Sequence, residues 1–397
     1  YPPSSKGDGG DLATSAPAQP SAKSPPSPPL EKGGATQAPD PFERLAQQST
    51  DLERMGRRAA LDPIPAALDA AAAAALGAEV RRLLAAKESL AGRDLAGANL
   101  AGIALVGADL RGTLLERADL SGADLSGANL AGAVLTGADF SNARLDGAHL
   151  DDAGCNRLNA RGASLKNIQG ARLLAIKACL AEADLTGARL EKLVAHQADL
   201  RGACLDAAEL PGALLLEVQA AGSRWRGAKL DKAVFYKAEL AAADFSGATL
   251  QSCVFAEAQA AASRWRGARM EKCFFIAGDF TAADLSEAQA TACGWRDGEL
   301  RGANLAGGRY TQCDFTGARL HRAILSNAHL TACILQRSHL EGCVGDGLDL
   351  FQAQARMADF SAADLREARF MQADLAQTCF RHAQLDRARH LPAGVRT

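Results

Sequence analysis

Five cysteines, Cys253, Cys273, Cys293, Cys313 and Cys333, recur at 20-residue intervals. Thiols so spaced could ligate a soft metal, pair as disulfides or carry redox chemistry. A second recurrence, "SRWRGAKLDKAVF" at Ser223–Phe235 and "SRWRGARMEKCFF" at Ser263–Phe275, doubles an arginine pair on each side of a tryptophan. Arg224, Arg226, Arg264 and Arg266 together would suit an anion. Aspartates are frequent enough to offer carboxylate pairs for acid/base work, and His321, His329 and His339 lie close in sequence. Whether any of this is chemistry depends on the elements that hold these residues.

The elements follow from a period. In "ADLSGADLSGANLAGAVLTGADF", Ala118–Phe140, a large apolar residue stands at every fifth position, with Ala two places before it and mostly Gly two places after. The register runs unbroken from Leu90 through Leu200, Phe255, Phe315, Leu365 and Leu385. A period of five matches neither the 3.6 of an α-helix nor the 2 of a strand. It matches a chain that turns a corner every five residues, four corners closing one square coil of 20. The large centre and the small residue two before it then face inward, and the other three face out.

This pattern resembles the pentapeptide-repeat family, A(D/N)LXX, over roughly residues 88–394. The resemblance implies an all-β solenoid, a right-handed quadrilateral β-helix of about 15 coils stacked at roughly 4.8 Å into a rod on the order of 70 Å long. It implies architecture and not activity.

Placed in that register, the reactive residues lose most of their chemistry. The five cysteines occupy the small inward position, their side chains parallel in a ladder, so buried free thiols are expected. No CxxC and no histidine at ligand spacing accompanies them, and no metal or cofactor is expected. Trp225, Trp265 and Trp295 are inward centres, each after a centre shrunk to alanine (Ala220, Ala260, Ala290), which reads as constant core volume. The flanking arginines face out beside Asp244 and Asp284 and read as solvated surface. Asp119, Asp124, Asp139, Asp184, Asp199, Asp244 and Asp284 stand one before a centre, where the family pattern puts Asp or Asn outside. His321, His329 and His339 read as surface residues on different faces. No nucleophile elbow, phosphate-binding loop or zincin motif is present, so no catalytic residue is assigned and the chain is not expected to be an enzyme.

Composition agrees. Of 397 residues, 48% are hydrophobic but only 5% aromatic, which suits a narrow interior of small side chains. Lys+Arg 44 nearly balance Asp+Glu 46, which argues against a nucleic-acid partner. No apolar run reaches a membrane span and no signal peptide is visible. Reduced cysteines point to the cytoplasm, with secretion by a signal-less route left open. Residues 1–41, rich in Pro, Ser, Ala and Gly, are expected to be a disordered linker. Residues 42–87 read as a helical N-terminal cap, its second helix over 66–90 starting near Asp62 or Pro65, and residues 88–397 as the β-helix. The chain is expected to be a module of a longer protein.

One face departs from the pattern. The positions one before its centres are apolar where the other faces are polar: Leu114, Val134, Leu174, Val194, Leu214, Val234, Val254, Phe274 and Ile334. Positions just after the same centres add Ile176, Leu216, Tyr236 and Ile276. A stripe of about 500 Å² would match the largest apolar patches of soluble monomers. It is expected to be an interaction surface, covered by the second helix, a second copy of the chain or another protein. The leading functional expectation is a non-enzymatic protein-binding scaffold with no small-molecule substrate. By analogy of its Pro/Ala-rich lead-in, it is similar to accessory or cargo-handling components of type VI secretion. The alternative that the family resemblance implies is a DNA-mimic modulator or protector of DNA gyrase, whose acidic surface this sequence lacks.

Overall fold

A computed structural model describes residues 56–63 and 66–391; the linker expected at 1–41 lies outside them. From Asp94 to Arg389 the backbone pairs with itself in parallel at a shift of 20 residues, as in Asp94↔Leu114 and Arg369↔Arg389. The amide of each centre donates to the next coil, Leu120 N–H to the Asp139 carbonyl at 2.7 Å. The Asp139 amide returns to the Ala118 carbonyl at 2.9 Å, so the inter-coil bonds satisfy backbone groups that burial would otherwise leave unpaired. On one face the pairing is regular enough to form strands: β1 (Lys229–Asp231), β2 (Thr249–Gln251), β3 (Arg269–Glu271), β4 (Gln289–Thr291), β5 (Arg309–Thr311) and β6 (His329–Thr331). They make one parallel sheet in sequence order. The chain is a β-solenoid.

The corner chemistry explains the repeat. The second residue past each centre has φ close to +60°, whether it is glycine or, as at Asn142, Lys192 and Ala242, not. Each non-glycine there costs about 1 kcal/mol, which explains the preference for Gly at this position. The aspartate before the centre closes the same corner: Asp119 Oδ1 accepts the Ser121 amide at 3.0 Å and Asp139 Oδ1 the Ser141 amide at 2.8 Å. These aspartates are therefore structural, as their register suggested.

The core is one column of side chains. Trp225, Trp265 and Trp295 are fully buried, as are Ala220, Ala260 and Ala290. Phe245 stacks between Trp225 and Trp265, with centroids at 5.5 and 4.2 Å. Where a centre is small, its own pentapeptide also compensates: Leu158 fills for Ala160, Ile168 for Gly170, Leu173 for Ala175 and Leu193 for Ala195, all buried. A Cβ on Gly170 would press on Leu190 at 3.0 Å, so the space is already taken.

The N-terminal helix is shorter than expected. Helix α1 spans Ala70–Ala85, and its N-cap is Asp69, whose carboxylate accepts the Ala72 amide at 2.7 Å. Asp62 and Pro65 are not its start, because only Asp69 supplies the capping oxygen at the right spacing. Val80 and Leu83 join the core beside Leu90 and Leu95, and the Ala73 carbonyl accepts the Asn99 amide at 3.0 Å. Gly77 lies against the Asn99 carbonyl, leaving no room for a side chain. The helix thus closes the first coil, a cap for an otherwise open β-edge.

Candidate interaction face

The apolar ladder is real, but its first part is already occupied. A strap, residues 56–63 with a helical turn at 56–59, lies on this face. Arg57 Nε donates to Glu116 Oε1 at 2.6 Å, Asn156 Nδ2 to the Ala60 carbonyl at 2.9 Å, and Asp62 pairs with Arg157 at 3.0 Å. The Arg58 backbone passes directly over Gly154, where a Cβ would strike its carbonyl. Val134, Thr136 and Asn156 are consequently fully buried and Glu116 is 1% exposed. Of the three covers expected, the second helix is not the one found on these rungs: α1 sits on the coil end, and the strap before it lies over the first part of the face. Leu114, half-buried, and Val134 belong to the covered portion.

Beyond Gly154 the ladder is continuous and no other described segment crosses it: Leu174, Val194, Leu214, Val234, Val254 and Phe274, ending at Gly294. Leu214, Phe274 and Ile276 are 39, 45 and 42% exposed. Ile176, Leu216 and Tyr236 are half-buried beside them, Tyr236 beneath the Lys237 ammonium at 5.1 Å. Ile334 is separated from this run by Gly294 and Asp314. Six rungs make a patch of about 25 by 10 Å, roughly half the expected area. It still approaches the largest patch of an ordinary monomer.

The edges of the patch are charged and mutually paired. Arg172 with Asp152, Lys232 with Asp231 and Lys272 with Glu271 line one side. Gln197 with Glu217 and Lys237 with Glu257 line the other. An apolar centre inside a polar rim is the anatomy of a protein contact surface. Within it lies a residue the sequence reading passed over: His196, between Ile176 and Leu216 in the same column, has a buried Nδ1 with no hydrogen-bond partner.

The other candidates resolve as follows. Arg226 holds Asp244 at 2.7 Å, Arg264 reaches the same carboxylate at 3.8 Å, Arg224 pairs with Asp206 at 3.5 Å and Arg266 with Glu287 at 2.8 Å. The four arginines are therefore a paired surface and not a vacant anion site. The repeated motif has a buried purpose instead: Ser223 Oγ accepts the Trp225 indole N–H at 2.7 Å, and Ser263 Oγ that of Trp265 at 2.8 Å. The five ladder cysteines are buried and free, bonded to carbonyls such as Leu230 and Tyr310 at 3.2 Å. Burial alone pushes the Cys155 thiol up to about 12. One expectation fails: His321 and His339 share a face, one coil apart, with ring centroids at 5.6 Å. Only His329 lies elsewhere, in β6.

Family models for pentapeptide repeats match residues 94–130, 128–167, 178–215 and 217–251, and a pentapeptide repeat region model matches 313–390. The chain belongs to the pentapeptide-repeat family. Among solved structures it is similar to a trypsin-treated form of QnrB1, a plasmid-mediated fluoroquinolone resistance protein, at 19% identity over 44% of this chain and 89% of that one, TM-score 0.28. It is also similar to HetL, a pentapeptide repeat protein involved in heterocyst differentiation regulation from the cyanobacterium Nostoc sp. strain PCC 7120, at 24% identity over 76% and 96%, TM-score 0.18. No curated protein matches the chain. No helix among the described residues is long and apolar enough to cross a membrane.

Proposed function

We propose that this chain is a protein-binding scaffold whose contact surface is the open ladder from Leu174 to Ile276. The observation that carries the reading is the division of one face: the strap lies over its first rungs and buries Val134 fully, and the next six carry apolar side chains, half-buried or exposed, that no other described segment crosses. Burying Leu214, Phe274 and Ile276 fully would stabilise a complex by about 1 kcal/mol each, enough to anchor a modest interface inside the charged rim. The strap itself illustrates how a short segment engages this face, through the Arg57–Glu116 ion pair and the hydrogen bond from Asn156 to the Ala60 carbonyl. Residence in a reducing compartment is part of the proposal and rests on the free thiols. Service in type VI secretion is its most specific form and rests on lead-in composition only.

The second reading is a gyrase-directed duplex mimic, the alternative that the family resemblance implies. It requires a continuous run of unpaired negative charge. Here acidic groups alternate with basic ones across coils, as in Asp244 with Arg226 and Arg264, or Glu299 with Arg301 and Arg319. A DNA supercoiling assay separates the readings: the scaffold leaves gyrase unaffected at stoichiometric protein, and inhibition or protection would favour the mimic. The scaffold itself is tested with a photo-reactive residue at Val234, which should give protein adducts that the same residue at exposed Gln259, on another face, does not.

A further inference from the structure

We infer that His321, His339 and Glu341 form a binding site for a divalent transition-metal ion of borderline softness, Zn²⁺ foremost. The register creates it. Centres Leu320 and Leu340 stack one coil apart, so the residue after the first and the residues on both sides of the second meet on one face. Their ligand atoms lie within 4.8 Å of one another. His321 Nε2 is 3.2 Å from Glu341 Oε2, and His339 Nδ1 is 3.4 Å from Glu341 Oε1.

These separations are those of a coordination shell. A tetrahedral ion with bonds of about 2.0–2.1 Å sets its ligands roughly 3.3–3.4 Å apart. Each histidine nitrogen already stands at such a distance from one oxygen of the Glu341 carboxylate, and rotation of the exposed His339 ring and of that carboxylate brings the three ligands around one ion. Glu341 Oε2 is buried and makes no hydrogen bond despite its nearness to His321 Nε2, which leaves its lone pairs unused. Two neighbouring cations turn away from it: Arg301 and Arg319 both reach Glu299, at 3.7 and 3.5 Å. Asp359, on the rung after His339, adds negative charge.

Two imidazoles and a carboxylate suit Zn²⁺, Co²⁺ or Ni²⁺, whereas Mg²⁺ and Ca²⁺ prefer all-oxygen shells. With three protein ligands the fourth position goes to water or to a donor from a partner. His329 provides an internal control, since it faces Asp349 alone at 3.5 Å.

The test uses the tag-free chain with Co²⁺ as a spectroscopic probe and Zn²⁺ in competition. One equivalent of Co²⁺ should give a visible d–d band without thiolate charge transfer, displaced by Zn²⁺. His321→Gln, His339→Gln or Glu341→Gln should each weaken binding by at least ~10-fold, and His329→Gln should leave it unchanged. A thiolate charge-transfer band would assign the ion to cysteines and overturn the site. So would unchanged affinity in both the His321 and His339 variants, or no binding by the parent chain.

Discussion

Trp225, Trp265 and Trp295 occupy equivalent buried positions, but only two have a partner for the indole N–H. Ser263 Oγ accepts from Trp265 Nε1 at 2.8 Å and donates to the Ala260 carbonyl at 2.5 Å. Ser263→Ala fits sterically, because alanine fills this inward position in most coils. It leaves a fully buried indole N–H unpaired, a cost of about 1–3 kcal/mol. At Trp295 the inward residue is Cys293, and Trp295 Nε1 is buried without a partner. Cys293→Ser places an acceptor where Ser223 and Ser263 have theirs, at the expense of the bond that Cys293 Sγ accepts from the Cys273 amide at 3.4 Å. A thiol is a weak acceptor, so the exchange should gain about 1 kcal/mol. Guanidinium unfolding followed by far-UV circular dichroism should show the two variants moving in opposite directions. With only three tryptophans, the indole protons are resolvable by NMR, and the Trp295 signal should shift downfield in Cys293→Ser towards the other two. If Cys293→Ser destabilises as much as Ser263→Ala, or the Trp295 proton does not move, the reading of the Ser-Arg-Trp motif as a hydrogen-bond device is refuted.

Arg57→Met strips the cation from the buried Glu116 carboxylate and should cost about 3 kcal/mol, most of it restored by adding Glu116→Leu; a double-mutant cycle in denaturant measures this, and equal costs for single and double variants would contradict it. Gly154→Val drives a side chain into the Arg58 backbone, so amide exchange at 56–63 should accelerate while coils past Leu174 stay protected. Phe245→Ala empties the slot between Trp225 and Trp265 and should cost about 3–5 kcal/mol by chemical denaturation. The Arg111 guanidinium holds Asp109 below its usual range, Arg201 does the same for Asp199, and the Ser126 hydroxyl for Asp124. A depressed carboxylate contributes stability that is complete above its unfolded pKa and lost as pH falls through the folded one. The melting temperature should therefore hold from neutrality to about pH 4 and drop below it. A flat profile to pH 2 would show that these corner aspartates are not stabilising.

The fold was legible because each pentapeptide repeats one local instruction: a large centre, a small inward partner, a carboxylate that closes the corner. Side chains in register predict which atoms face inward, and the tryptophans and cysteine ladder follow from that alone. What the sequence could not show is contact between distant segments. The strap meets Glu116 and Asn156 across 59 and 96 residues, and nothing periodic marks it. Gly154 was its one signal, a glycine in a column of Leu and Val whose absent side chain makes room for a crossing backbone. The Ser–Trp bonds and the His321–His339 pairing were readable in principle. Serine at the inward position two before a tryptophan has one donor within reach, and residues 320 and 340 are one coil apart by the same arithmetic that ordered the cysteines. His196 was hidden because its column is apolar on both sides, and only its unpaired nitrogen marks it.

The central claim is that the ladder from Leu174 to Ile276 is a contact surface. Its most direct test is photo-crosslinking in cells that make the chain at native level, with the reactive residue at Val234, Phe274 or, as control, Gln259. Adducts of defined mass at Val234 and Phe274, abolished by Leu214→Glu and missing at Gln259, are the predicted result. Equal labelling at all three positions, or none at Val234 and Phe274, would contradict the account and leave the ladder an uncovered face of the solenoid.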